Sequence, residues 1–228
     1  MNGEHGDQVW AHNPVTGELA RIITPASASP RGSIAIELFL QPGAALAAAH
    51  THPTLIERFE VVEGVVAYLI DGGERLVRPG DGVAEVRPGT VHDWWNAGEG
   101  IARVMATVEV ATGAPADSAE RFIAALEVLW SLGAEGRTNE KGMPDPLWVA
   151  AIGHEYSDVI RLARPPTVVQ AITLPVLGGI GRLLGRRPTA RSLHGPGAAM
   201  YIDDPGASLA ALLAAPVGAG AARRKRGS

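Results

Sequence analysis

Three histidines and one glutamate stand in a pattern suited to holding a metal ion. In His50-Thr51-His52 the two imidazoles are two residues apart. In an extended strand, residues i and i+2 project to the same face. Pro53 interrupts the hydrogen-bonding ladder, and the chain resumes in an apolar, β-branched run, Glu57-Arg-Phe-Glu-Val-Val-Glu-Gly64. A further histidine lies in Arg87-Pro-Gly-Thr-Val-His92-Asp-Trp-Trp-Asn96. Any one of these histidines alone reads as a satisfied polar group in a β core. Together, three imidazoles and a carboxylate suit a first-row transition metal, with positions left for water or substrate. The mixed nitrogen and oxygen set selects no single ion, so Fe, Mn, Ni, Zn, Co and Cu all stay open.

The elements that must position these groups read as short strands separated by turns. Residues 1 to 14 are polar and are expected to be loose, closing at a turn marked by Asn13-Pro14 and Thr16-Gly17. Strands are predicted at Glu18 to Ile23, Ser33 to Leu40, Val65 to Ile70, Glu74 to Arg78, Val83 to Val86 and Ile101 to Val110. Asp71-Gly72-Gly73 is a hairpin signal. If Glu57 points inward, so do Phe59 and Val61, while Arg58 and Glu60 point outward. If His92 points inward, so do Trp94 and Asn96. Phe59 and Trp94 are therefore the candidate substrate-contacting wall beside the four ligands. Tyr68 is expected to fill the core, and Asn96 to bond backbone.

These residues carry a resemblance to the cupin superfamily. The first cupin motif reads here as Gly43, His50, His52, Glu57 and Gly64, with one residue more than usual between Gly43 and His50. The second reads as Gly82, Arg87-Pro88-Gly89, His92 and Asn96, with Arg87 at the usual proline position. Both departures fall outside the four presumed ligands. The resemblance implies a mainly β fold, a jelly-roll barrel over residues 15–112, and it overrides the helical propensity of Ala44 to Ala49. It also implies His50, His52, Glu57 and His92 as metal ligands, a homodimer, and dioxygenase, isomerase or decarboxylase chemistry. A metal-dependent small-molecule enzyme, dioxygenase-like, is the favoured reading. The alternatives are a non-catalytic cupin that binds a small ligand or metal, and an interaction protein acting through a C-terminal helical extension.

After Thr112-Gly113-Ala114-Pro115 the apolar period becomes helical, predicting an α-helical extension over residues 113–215. Asp117 and Glu120 form a capping-box-like start, Phe122, Leu126, Leu129 and Trp130 an apolar stripe, and Gly133 a stop. Asp145-Pro146 opens a second helix, with Trp148, Ile152, Tyr156, Val159 and Ile160 on its buried side and Pro165-Pro166 at its end. Thr167 to Leu184 is a third, very apolar helix, with Gly181 and Gly185 permitting close packing. Residues 216–228 form a basic tail expected to be disordered.

Arginines 161, 164, 182, 186, 187 and 191 flank the third helix, and no acidic residue lies between Val159 and Ile202. They cluster at the ends of the apolar segment instead of along one face. Burial of that segment against protein is therefore favoured over contact with an anionic membrane surface, which is the alternative.

Composition narrows the classes. With 46% hydrophobic and 19% charged residues, the 228-residue chain is globular. Zero cysteines exclude disulfides, thiolate ligands and a cysteine nucleophile. The formal charge is −4, and the four basic residues at 223 to 226 leave 16 basic against 24 acidic residues elsewhere. No nucleic-acid partner is expected from that balance. No basic n-region followed by an apolar run opens the chain, and no transmembrane span is visible, so a cytoplasmic protein with a small-molecule ligand is expected. His154-Glu155 is followed by Asp158 where a zinc-protease helix needs histidine. Neither a dinucleotide-binding glycine fingerprint nor a Walker A lysine occurs.

Overall fold

Two antiparallel sheets carry the first half of the chain in the computed structural model, which describes residues 9–24, 29 and 32–188. In chain order the strands are β1 (Val9–Asn13), β2 (Glu18–Thr24), β3 (Ile34–Leu40), β4 (His50–Thr51), β5 (Leu55–Glu63), β6 (Val66–Ile70), β7 (Gly73–Val77), β8 (Val83–Val86), β9 (His92–Asn96) and β10 (Ala102–Val110). Helices α1 (Ser118–Ala134) and α2 (Pro146–Glu155) follow, then a short strand β11 (Arg161–Leu162) and helix α3 (Thr167–Leu183). One sheet has the order β1-β2-β3-β10-β5-β8 and the other β11-β4-β9-β6-β7. This is the expected jelly-roll barrel followed by helices.

Period-two patterning builds the barrel. On β5, Leu55, Glu57, Phe59 and Val61 are buried while Glu60 is exposed, as strand alternation requires. The β6–β7 hairpin turns on Asp71 and Gly72, both with positive φ (50° and 81°), which matches the sheet's twist. Gly64 combines a φ of 81° with a close approach: a Cβ there would lie 2.8 Å from the Ala102 Cα. Only glycine fits. Each fully buried apolar side chain, Leu55 and Val66 among them, contributes roughly 1.5–3 kcal/mol.

Several expectations are corrected. Residues 9–13, expected within the loose N-terminal 14, form β1 and pair with β2 from Val9↔Ile22 to Asn13↔Glu18. The barrel does not close off at residue 112, because β11 of the extension pairs with β4 (Arg161↔Thr51, Leu162↔His50). Asp117 precedes α1 but makes no capping bond with its side chain. Gly133 lies inside α1, where a Cβ would meet Asn13 Oδ1 at 2.8 Å, and Gly136 takes the positive φ beyond the helix. Helix α2 ends at Glu155, so Tyr156 and Val159 are buried but lie beyond it. Its start is as expected: Asp145 accepts from Leu147 N (2.9 Å) and Trp148 N (3.1 Å), with Pro146 in the first turn.

Helix α3 packs on α2 through glycine. A Cβ at Gly181 would lie 2.8 Å from Leu147 O, and one at Gly178 3.0 Å from Ala150 O. Gly185 does not share that role, since nothing lies within 4 Å of its Cβ position. Contrary to the expected burial, the opposite face is open: Val168, Ile172, Val176, Ile180 and Leu183 are all exposed in the single chain. Glycine admits backbone on one side only, so the bulky residues are left on the other. The expected residues 189–215 of the extension and the basic tail at 216–228 lie outside the described residues. Among the described residues, no helix is long and apolar enough to cross a membrane.

Candidate metal centre

Strand pairing brings the four residues together. His50 on β4 is paired with His92 on β9, and Glu57 lies on β5 in the facing sheet. One ligand atom from each of His50, His52, Glu57 and His92 falls within 4.8 Å of the others, and all four residues are buried. The Nε2 atoms of His50 and His52 are 3.1 Å apart. Glu57 Oε2 lies 3.3 Å from His52 Nε2 and 3.0 Å from His92 Nε2. Although close, Glu57 Oε2 and His92 Nε2 do not meet in hydrogen-bonding geometry, and among the described residues neither atom makes a hydrogen bond.

The outward nitrogens explain the inward ones. Nδ1 of His50 is 3.1 Å from Ala48 O, that of His52 2.7 Å from Val159 O, and that of His92 3.3 Å from Thr90 O. A carbonyl only accepts, so each Nδ1 carries the proton and each Nε2 presents a lone pair inward. Three lone pairs and a carboxylate oxygen crowded at this spacing repel one another. A cation at their centre relieves that repulsion, and a backbone carbonyl on the far nitrogen is the usual device that orients metal-binding histidines. The residues present therefore fit a transition-metal ion.

The four groups are also coupled electrostatically, and the coupling acts in opposite directions on His50 and His52. Burial holds His50 well below the usual imidazole range, with the neighbouring His52 and His92 adding to it. Burial also opposes charge on His52, but the Glu57 carboxylate and the Val159 carbonyl outweigh it and raise the pKa. Burial opposes ionisation of Glu57 as well, yet His52 and His92 overcome it and hold the carboxyl well below its ordinary value.

A cavity adjoins the cluster. Phe59 and Trp94 line it together with His50, Glu57 and His92. Tyr68 is fully buried and packs on Phe59 at 5.4 Å between ring centroids. Asn96 donates from Nδ2 to Leu40 O, Gln41 O and Gly100 O (2.9, 3.0 and 2.8 Å), a backbone-bonding role. The helical extension closes much of the rest: Phe122, Leu126 and Trp130 from α1, Ile152 from α2, and Leu174 from α3. The rings of Phe122 and His52 also meet in a T-shaped arrangement, with centroids 4.9 Å apart. The stripe on α1 was readable from its period, but not its destination. Two contributors escaped the sequence altogether, the Val159 carbonyl and the carboxyl of Glu18 on β2, which also lines the cavity.

Comparison with known proteins finds one family model and many solved structures similar to part of this chain. The family model described as a cupin domain matches residues 37–108. Similar solved structures include the cupin domain of Schizosaccharomyces pombe Cnp3, with 18% identity, TM-score 0.36, 41% of this chain and 66% of that one covered. Another is a sugar phosphate isomerase of the cupin superfamily from Silicibacter pomeroyi, with 23% identity, TM-score 0.38, and 42% and 61% covered. The chain thus spans less than two thirds of each of these two. A third is a predicted oxalate decarboxylase from Thermotoga maritima, with 16% identity, TM-score 0.41, and 48% and 98% covered. No curated protein matches the chain significantly.

Proposed function

We propose, for a chain that belongs to the cupin superfamily through its domain at residues 37–108, that it binds one divalent transition-metal ion and acts on a small molecule in the adjoining cavity. His50, His52, His92 and Glu57 are the ligands. The observation that carries this reading is the convergence of buried Nε2 and carboxylate atoms at 3.0–3.3 Å while every Nδ1 is held by a backbone carbonyl. A dioxygenase-like enzyme is the favoured activity, and the nitrogen and oxygen donor set leaves Fe, Mn, Ni, Zn, Co and Cu open as the ion.

When bound, such an ion supplies polarisation of an oxygen ligand and, if redox-active, a site for O₂ chemistry. The chain's own part is to hold and to exclude. The Nδ1 anchors keep the imidazole rings in one tautomer and orientation. Phe59, Trp94 and Phe122 make the neighbouring wall apolar, which keeps water away from a bound substrate. Among the described residues that line the cavity next to the four ligands, none supplies a second acid or base at the centre. The test is oxygen uptake by the metal-loaded protein over a panel of small metabolites. Stoichiometric consumption of O₂ with one compound supports the favoured activity. Tight binding without turnover supports the second reading, a non-catalytic small-ligand module, which the predominantly apolar lining favours.

A further inference from the structure

The cavity has a second polar end. Across the first sheet, Glu57 pairs with Val108, which pairs with Ile34 of β3. Glu18 pairs with Leu40 of the same strand. Ile34 and Leu40 are six residues apart, so the two carboxylates sit on rows separated by about 20 Å along the strand direction. Both nevertheless line one cavity, and Asn13 and Thr16 line it beside Glu18. Between the ends, Ile36, Leu38, Phe59 and Ala106 present hydrocarbon.

Glu18, Thr16 and Asn13 are all buried, at 4%, 3% and 4% exposure. The Thr16 hydroxyl donates to Glu18 Oε2. Asn13 Oδ1 accepts from the backbone N–H of Val15 at 3.2 Å and, at the longer distance of 3.4 Å, of Thr16. Among the described residues, these bonds leave Glu18 Oε1 and Asn13 Nδ2 to other partners. Burial pushes the Glu18 carboxyl up to about 7, and the Thr16 bond offsets that only in part. Among the described residues no cation stands beside this carboxyl, so its ionised form is costly in the buried site and the group is a candidate for a functional role.

We infer that Asn13, Thr16 and Glu18 form a second binding subsite, which takes the hydroxyl group of an elongated, apolar-bodied ligand whose other end lies at His50, His52, Glu57 and His92. The assignment of the other end rests on the proposed metal site. A hydroxyl suits this place because it donates to a carboxylate, accepts from a carboxylic acid, and accepts from the Asn13 amide. An ammonium needs the carboxylate ionised and brings a larger desolvation cost.

Linear carboxylates of eight to twelve carbons, with and without a terminal hydroxyl, are the probes. Their affinities are measured by calorimetry on the full chain, metal-loaded and chelator-treated. For at least one chain length, the hydroxylated probe is expected to bind at least tenfold tighter than its plain counterpart, in both preparations. Glu18→Gln keeps the preference, because the amide still bonds a hydroxyl. Glu18→Leu reduces it below about twofold while the plain probe still binds, which separates loss of the subsite from loss of the fold. Equal affinities for the two probes at every length, an undiminished preference in Glu18→Leu, or binding of no probe overturns the inference. Failure of the metal site has a different signature: absolute affinities that chelation does not change, with the hydroxyl preference intact.

Discussion

The Nδ1 of His52 donates to the carbonyl oxygen of Val159 across 2.7 Å, though 107 positions separate them. The helical extension thereby fixes the tautomer of a residue in the barrel's first motif. Arg121 of α1 clamps the turn that carries Val159. It donates to both carboxylate oxygens of Asp158 (2.7 and 2.9 Å) and to Glu155 O (2.7 Å).

Arg121→Ala is therefore expected to lower stability by about 1–3 kcal/mol and metal affinity by about tenfold. Arg121→Lys should recover part of the stability, since lysine lacks the planar fork. Thermal melts and metal titration are the measurements. A destabilised variant with unchanged metal affinity breaks the proposed link between extension and centre.

Trp94 is buried and lines the cavity, whereas its neighbour Trp95 is half-buried and faces the other way, opposite Ala67 and bridged to Ala45. Trp94→Ala should cost about 3–5 kcal/mol in urea denaturation, and Trp95→Ala distinctly less. The reverse order contradicts this register.

The centre was legible because its signal is local. His50 and His52 stand two residues apart, Glu57 follows on the next strand, and His92 sits in a second compact motif. The start of α2 was legible for the same reason, since Asp145 caps the helix that Pro146 opens. What escaped depends on distant partners. The Val159 carbonyl has no side-chain signature, and Glu18 reads as an ordinary strand charge until β1 and β3 flank it. The exposed face of α3 was misread because hydropathy reports that a segment resists water, and not which side its glycines let another backbone approach.

The buried Glu18 carboxyl also predicts a pH effect on stability. Its pKa is raised from 4.5 to about 7 by burial. Between those values the folded state holds a proton that the unfolded state has lost, so stability falls as pH rises through this window. The drop amounts to roughly 3 kcal/mol if the full shift is expressed. Relative to wild type, Glu18→Gln should gain stability from pH 4.5 to pH 8 in denaturant titrations. Parallel profiles for the two proteins contradict an elevated Glu18.

The open face of α3 gives a simple control. Ile172→Glu and Val176→Glu should each change unfolding free energy by no more than about 0.5 kcal/mol, because both side chains are exposed in the single chain. A loss well above that, or a dimer that becomes monomeric by light scattering, means the face is covered in solution.

Metal analysis of the purified full-length protein tests the central claim most directly. After reconstitution with Fe(II), Mn, Ni, Zn, Co or Cu and removal of free ion, mass spectrometry should find about one ion per chain for at least one metal. Alanine at His50, His52, Glu57 or His92 should each lower that occupancy. Wild-type occupancy near zero with every one of these ions contradicts the account.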